Sequence, residues 1–146
     1  MRESIWRWHH NISKCFYHIQ LTVKYRRKAL TPKVEDTIKS TCEGFKYRYH
    51  LDIKTIGFDQ DHVHFYLQAL PKYSGGQIVR LIKSITASEV FVHHEKVKTV
   101  LWGGEFWTDG YYIATVSPHG TKEIIINYIK NQGREKDVAQ LRLFNF

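Results

Sequence analysis

Two hydrophobic periods take turns along the chain, and the points where one gives way to the other mark its elements. Over 16–23 apolar and polar residues alternate loosely among β-formers, which predicts a first strand. Thr31-Pro32 is a helix start, with Thr31 placed to cap and Pro32 at the first helical position. The helix predicted from there to about Tyr49 carries Val34, Ile38, Cys42 and Phe45 on one stripe. Residues 51–58 read as a second strand, Asp59-Gln60-Asp61 as a turn, and the run from His62 as a third strand, ended by Leu70-Pro71-Lys72. Ser74-Gly75-Gly76 opens a second long helix with Ile78, Leu81, Ile82, Ile85 and Val90 at helical spacing, leaving Arg80 and Lys83 facing outward. Gly103-Gly104 and Asp109-Gly110 bracket a loop holding Trp102, Phe106 and Trp107, and 111–116 read as a fourth strand. After the turn Ser117-Pro118-His119-Gly120, Thr121 caps a last helix with Glu123 in its first turn. Residues 1–14 read as an irregular basic arm whose Trp6 and Trp8 either pack back on the domain or lie against a partner. The charged tail beyond Gly133 ends in an apolar run over 141–146, suited to docking on the body or on another subunit.

The predicted order is β-α-β-β-α-β-α. Its first six elements match the split βαβ, ferredoxin-like (RRM-like) arrangement, an α+β fold with an added C-terminal helix. At 146 residues this is one domain, 1–146, able to bury a sizeable core. In that topology strands one and three are central. The two long helices should cover one face, with Val63 and Phe65 beneath them, so that His62 and His64 point to the open face. The last helix is the natural cover for that face. Its buried stripe should be Ile125, Ile126 and Ile129, with Tyr128 and Gln132, four residues apart, at the stripe's edge.

Charge narrows the choice of partner. The 22 Lys+Arg outweigh 14 Asp+Glu, giving net +8 and a pI near 9.5, which favours a polyanion. The cluster Lys24-Tyr25-Arg26-Arg27-Lys28 at the end of the first strand is either a solvated loop or a contact for a phosphate backbone. Arg80 and Lys83 are further candidates for nucleic-acid contact. Aromatic residues make up 14% of the chain, and most are expected to fill the core rather than stack on bases. Cys15 and Cys42 fit no zinc spacing and read as reduced thiols, which points to the cytoplasm. No apolar run suits an export signal or a membrane span.

The candidate chemistry lies in two stretches. In Asp61-His62-Val63-His64 the two imidazoles are one pleat apart and can share a divalent cation; the plainer reading is two histidines on a half-exposed strand. The second stretch is the Tyr128/Gln132 face. A phenol and an amide oxygen brought to a two-histidine metal site can cut a phosphodiester. Nitrogen ligands favour Mn²⁺ over Ca²⁺, with Mg²⁺ also suitable. His18, His119 and Asp61 are candidates for a general base or for structural roles.

In its segments and their order the chain resembles the single-tyrosine HUH-type (TnpA-like) transposases of hairpin-ended insertion sequences. The resemblance runs from Tyr17 to Gln132. It includes Tyr17-His18, Lys24-Tyr25-Arg26-Arg27, Asp61-His62-Val63-His64 and the helix bearing Ser74, Ile78, Val79, Leu81, Ile82, Lys83 and Ser84. It continues through Trp102, Phe106-Trp107 and Gly110-Tyr111-Tyr112-Ile113-Ala114-Thr115-Val116 to Tyr128 and Gln132. It implies that His62 and His64 are metal ligands, with Gln132 as a third and Tyr128 as nucleophile. It further implies a homodimer, a single-stranded DNA substrate with subterminal hairpins and a 5′-phosphotyrosine intermediate, with Tyr128 of one subunit meeting the histidines of the other. The family turn before the last helix is a tighter, Gly-containing one than Val116-Ser117-Pro118-His119-Gly120. Three other readings stand beside it. One is a domesticated hairpin-nicking relative, and another is a non-catalytic nucleic-acid-binding module on the same fold, though the third strand lacks the Gly-bearing aromatic signature of such modules. The third is a non-haem iron enzyme, against which Gln rather than a carboxylate at 132 counts.

Overall fold

A computed structural model describes residues 5–101, 104–116, 126, 127 and 129. Its main sheet has four strands: β3 (Cys15–Thr22), β4 (Leu51–Phe58), β5 (His62–Ala69) and β6 (Tyr112–Thr115). They are antiparallel in the order β4-β5-β3-β6, so the first and third strands of this sheet are central, as the ferredoxin-like pattern requires. The hairpin at Asp59-Gln60-Asp61 falls between β4 and β5, and the Asp59 amide donates to the His62 carbonyl at 2.9 Å.

Alternation along the central pair sorts their side chains by face. Ile19, Leu21, Val63, Phe65 and Leu67 join Val34, Ile38, Ile78, Ile82 and Val90 of the helices in one buried cluster. The helices therefore cover the face expected of them. Helix α1 (Pro32–Glu43) begins as its sequence suggests, the Thr31 hydroxyl accepting from the Val34 amide at 3.4 Å. The single helix predicted to Tyr49 is divided: α1 ends at Glu43, Gly44 caps it, and a short α2 (Phe45–Tyr49) follows. Phe45 remains buried beside Cys42, so the apolar stripe survives the break. Helix α3 (Gly75–His93) starts in a capping box. The Ser74 hydroxyl accepts from the Gln77 amide and the Gln77 side chain accepts from the Ser74 amide. A further helix, α4 (Glu95–Val100), was not foreseen.

The expected irregular arm is a correction. Trp6–Trp8 (β1) and Asn11–Ser13 (β2) form a separate two-stranded hairpin, turned by His9 in the left-handed region (φ 54°) and His10. Trp8 packs back on the domain, 4.2 Å from His50 between ring centroids, with the Lys72 ammonium 5.0 Å above its own ring. Phe106 and Trp107 likewise belong to the core, and the Trp107 indole donates to the Thr86 hydroxyl at 2.9 Å.

The opposite face of the sheet carries a smaller buried cluster, Phe16, Tyr66, Val116 and Ile129, with Ile126 packed against it. Ile126, Asn127 and Ile129 are helical. The final helix thus lays its apolar stripe on the histidine face, as its pattern predicted for Ile126 and Ile129. Complete burial of a side chain such as Ile129 contributes about 1.5–3 kcal/mol to holding it there. The Ser117-Pro118-His119-Gly120 turn, Thr121, Glu123, Ile125, Tyr128, Gln132, the tail, and Trp102 with Gly103 lie outside the described residues.

Candidate metal and nucleic-acid site

On the face covered by Ile126 and Ile129, β5 presents His62 and His64, and β3 presents His18, Gln20 and Thr22. Gln20 is paired with His64 and Thr22 with His62. The histidines are on the face expected of them, but that face is not open around His64. His64 is 1% exposed and His18 3%. The Phe16–Tyr66–Val116–Ile129 cluster lies on the same face, and the His18 ring is stacked 5.1 Å from that of His64. His62, at the start of its strand, stays half-buried.

Each of the two predicted ligands has one ring nitrogen tied to a neighbour. Nδ1 of His62 lies 2.7 Å from Oδ1 of Asp61, and Nδ1 of His64 lies 2.9 Å from Nε2 of His18. A metal-binding histidine usually turns its other nitrogen to such a partner, so a metal would be taken through Nε2 of each ring; Nε2 of His62 also has Oδ2 of Asp59 at 3.7 Å. The ring centroids are 5.3 Å apart with planes at 77°. Two imidazoles on one ion at about 2.0–2.1 Å have centroids roughly 4.5–5.5 Å apart, so the separation is one that two ligands of a divalent cation can have. Among the described residues no group of three or more His, Cys, Asp or Glu is arranged to hold a metal. Gln132, expected to complete the set, lies outside them.

Electrostatics reinforce the neutral state that a metal needs. Burial pushes His18 down to about 4. Burial, and then the neighbouring rings of His18 and His62, push His64 down to about 2. Asp61 is raised by burial, but hydrogen bonds from His62 and Arg26 outweigh this and hold its carboxyl below the usual range. A stability prediction follows. Below the ordinary histidine pKa near 6.5 the unfolded chain takes up protons that the folded His18 and His64 refuse. Stability should therefore fall as pH drops from about 6.5 through about 4, by up to about 1.4 kcal/mol per pH unit for each ring. Urea midpoints at pH 7.5 and 5.0, with chelator present, check this; a midpoint unmoved by acid would mean that the rings accept protons in place.

The basic cluster stands at the His62 end of the sheet. The Val23 amide donates to the Asp61 carbonyl at 2.7 Å, and Arg26 Nε lies 3.3 Å from the second oxygen of Asp61. Tyr25 and Arg26 both adopt left-handed backbone conformations (φ 58° and 53°), which cost non-glycine residues roughly 1 kcal/mol or more each. That turn leaves Tyr25, Arg26, Arg27 and Lys28 exposed. Lys24 is engaged with Glu105 at 2.7 Å. Arg80 is exposed, but Lys83 does not face outward as the helical spacing suggested. Its ammonium donates to the carbonyls of Thr108, Asp109 and Gly110, pinning the loop before β6.

The family model for IS200-like transposases matches residues 11–132, a span that takes in the histidine strand, the basic cluster and the tyrosine helix. This chain is an IS200-like transposase. It is 34% identical to the ISDra2 transposase TnpA of Deinococcus radiodurans over 116 residues, covering 80% of this chain and 82% of that one. Identity to the IS200 transposase of Salmonella typhimurium is 29% over 135 residues, 90% of this chain and 85% of the other. A crystal structure described as a Deinococcus radiodurans transposase superposes with a TM-score of 0.68 at 29% identity, covering 86% of this chain and 96% of that one. A REP-associated tyrosine transposase bound to a REP hairpin shares the fold, with a TM-score of 0.58 at 12% identity over 86% of this transposase and 70% of that chain. Family membership gives this transposase DNA cleavage and strand transfer as its general activity. Among its described residues no helix is long and apolar enough to cross a membrane.

Proposed function

We propose that this transposase cuts and rejoins single-stranded DNA at hairpin-marked ends through a covalent 5′-phosphotyrosine on Tyr128. The observation that carries the reading is the histidine pair, held with one nitrogen of each ring tied back, on the face where Ile126 and Ile129 of the tyrosine helix dock. His62, His64 and Gln132 would hold a divalent ion, Mn²⁺ or Mg²⁺. When bound there, such an ion polarises the scissile phosphate and steadies the leaving 3′-hydroxyl. The Tyr128 oxygen, a weak nucleophile while its phenol keeps its proton, attacks phosphorus. A Tyr–O–P bond forms, the P–O3′ bond breaks, the 3′-oxygen takes up a proton, and the 5′-phosphate stays on the protein. Attack on that phosphotyrosine by another 3′-hydroxyl reverses the step and joins new ends without ATP. His18 and Asp61 are committed to the two ligand histidines, which argues against either as the general base.

Hairpin DNA is the substrate class best supported. The REP-associated neighbour holds such a hairpin, and this chain's net charge of +8 suits one. Arg27 and Lys28 are exposed cations of the basic turn through which the backbone would be held. Replacing both with Gln should weaken binding to all sequences alike and flatten the salt dependence by about 0.7–0.9 of a log–log unit per lost contact. Titrations at several salt concentrations measure this, and an unchanged slope would return the pair to solvent. Arg26 is a poorer choice because removing it also strips Asp61 of a partner.

A homodimer with shared sites completes the proposal. Mixing inactive Tyr128→Phe with inactive His64→Ala protein should then restore cleavage, since a mixed dimer holds one site with intact histidines and an intact tyrosine. No recovery, with heterodimers confirmed by native mass spectrometry, would mean that each subunit completes its own site.

A further inference from the structure

We infer that His18 is a positioning residue that fixes the tautomer of His64. The inference rests on His64 being a metal ligand and adds the group that makes it one. An imidazole that ligates through Nε2 must present a lone pair there, so its proton has to sit on Nδ1. In water a neutral histidine has no such obligation. In this fold Nδ1 of His64 meets Nε2 of His18 at 2.9 Å, with both rings almost wholly buried. A hydrogen bond between two neutral imidazoles needs one donor and one acceptor. With His18 accepting at Nε2, its own proton sits on its Nδ1, and His64 donates from Nδ1.

The sheet makes this contact repeatable. His18 pairs with Tyr66 and Gln20 with His64, so His18 is the diagonal neighbour of His64 on the same face, within reach of a ring. The His18 ring is braced on its other side by Tyr112 of β6, edge-on at 5.5 Å between centroids. Asp61 performs the corresponding service for His62 with a carboxylate. The partner of His64 is an imidazole nitrogen instead.

The test compares His18→Gln, whose amide oxygen can still accept from His64, with His18→Leu, which cannot. Nitrogen-15 NMR of the imidazoles in metal-free wild-type protein should show His64 protonated on Nδ1. In His18→Leu that resonance pattern should move toward the other tautomer, and Mn²⁺ affinity by calorimetry should fall roughly 10–100-fold. His18→Gln should recover most of both. Circular dichroism and urea midpoints identify loss of fold, and affinities are read only below the onset of unfolding. An Nε2-protonated His64 in wild-type protein would overturn the inference, as would equal Mn²⁺ affinities in folded His18→Leu and wild type. Undiminished Mn²⁺ binding in His64→Ala is a different failure: it would remove the metal reading itself, and this inference with it.

Discussion

Tyr128→Phe protein is expected to bind hairpin DNA as wild type does and to form no covalent adduct with it. The substitution removes one oxygen, the atom that would become bonded to phosphorus. Phenylalanine has the same shape, and Ile126 and Ile129, which dock the helix on the sheet, are untouched. Removing a nucleophile that forms a covalent intermediate costs on the order of 10³–10⁶ in rate, because the remaining groups have nothing to attack with. Denaturing gels after incubation with labelled DNA and Mn²⁺ read the result, and an adduct persisting in Tyr128→Phe would place the nucleophile elsewhere.

His64→Ala should abolish cleavage by another route, leaving the ion one imidazole short. Mn²⁺ affinity should drop beyond about 100-fold, a larger effect than loss of a partner to a ligand produces. Because His64 is buried and bonded to His18, the variant should also lose stability, by about 1–3 kcal/mol for the stranded His18 nitrogen. Calorimetry and thermal unfolding on the same preparation separate the two losses. Metal binding at wild-type affinity would show that the histidine strand is only structural.

Much of this arrangement could be read from the chain itself. Alternation in 62–67 and the capping signals at Thr31 and Ser74 are local, and they survive folding because the core rewards the same stripe that the pattern shows. The split at Gly44, the β1–β2 hairpin and helix α4 were missed because short elements carry too few residues for a period to emerge. His18 is the more instructive case. It was visible as a histidine next to Tyr17, but its role depends on the register between β3 and β5, which no local pattern records. Lys83 shows the converse. Helical spacing turned it outward, yet the carbonyls of a loop 25 residues later draw its ammonium inward. The burial of His64 was hidden for a related reason: the ring stacked against it, that of His18, comes from a strand 46 residues earlier in the chain.

The most direct test of a tyrosine-linked strand transferase uses single-stranded DNA from the flanks of the protein's own reading frame, labelled at either end. Wild-type protein, Mn²⁺ and each substrate are combined, denatured and resolved on a gel, and the shifted band is digested for peptide mapping. The expected result is that only the 3′-labelled strand migrates with protein, since a 5′-phosphate link retains the downstream fragment, and that the modified peptide contains Tyr128. Cleavage that leaves both fragments free, or an adduct mapped to any other residue, would contradict it.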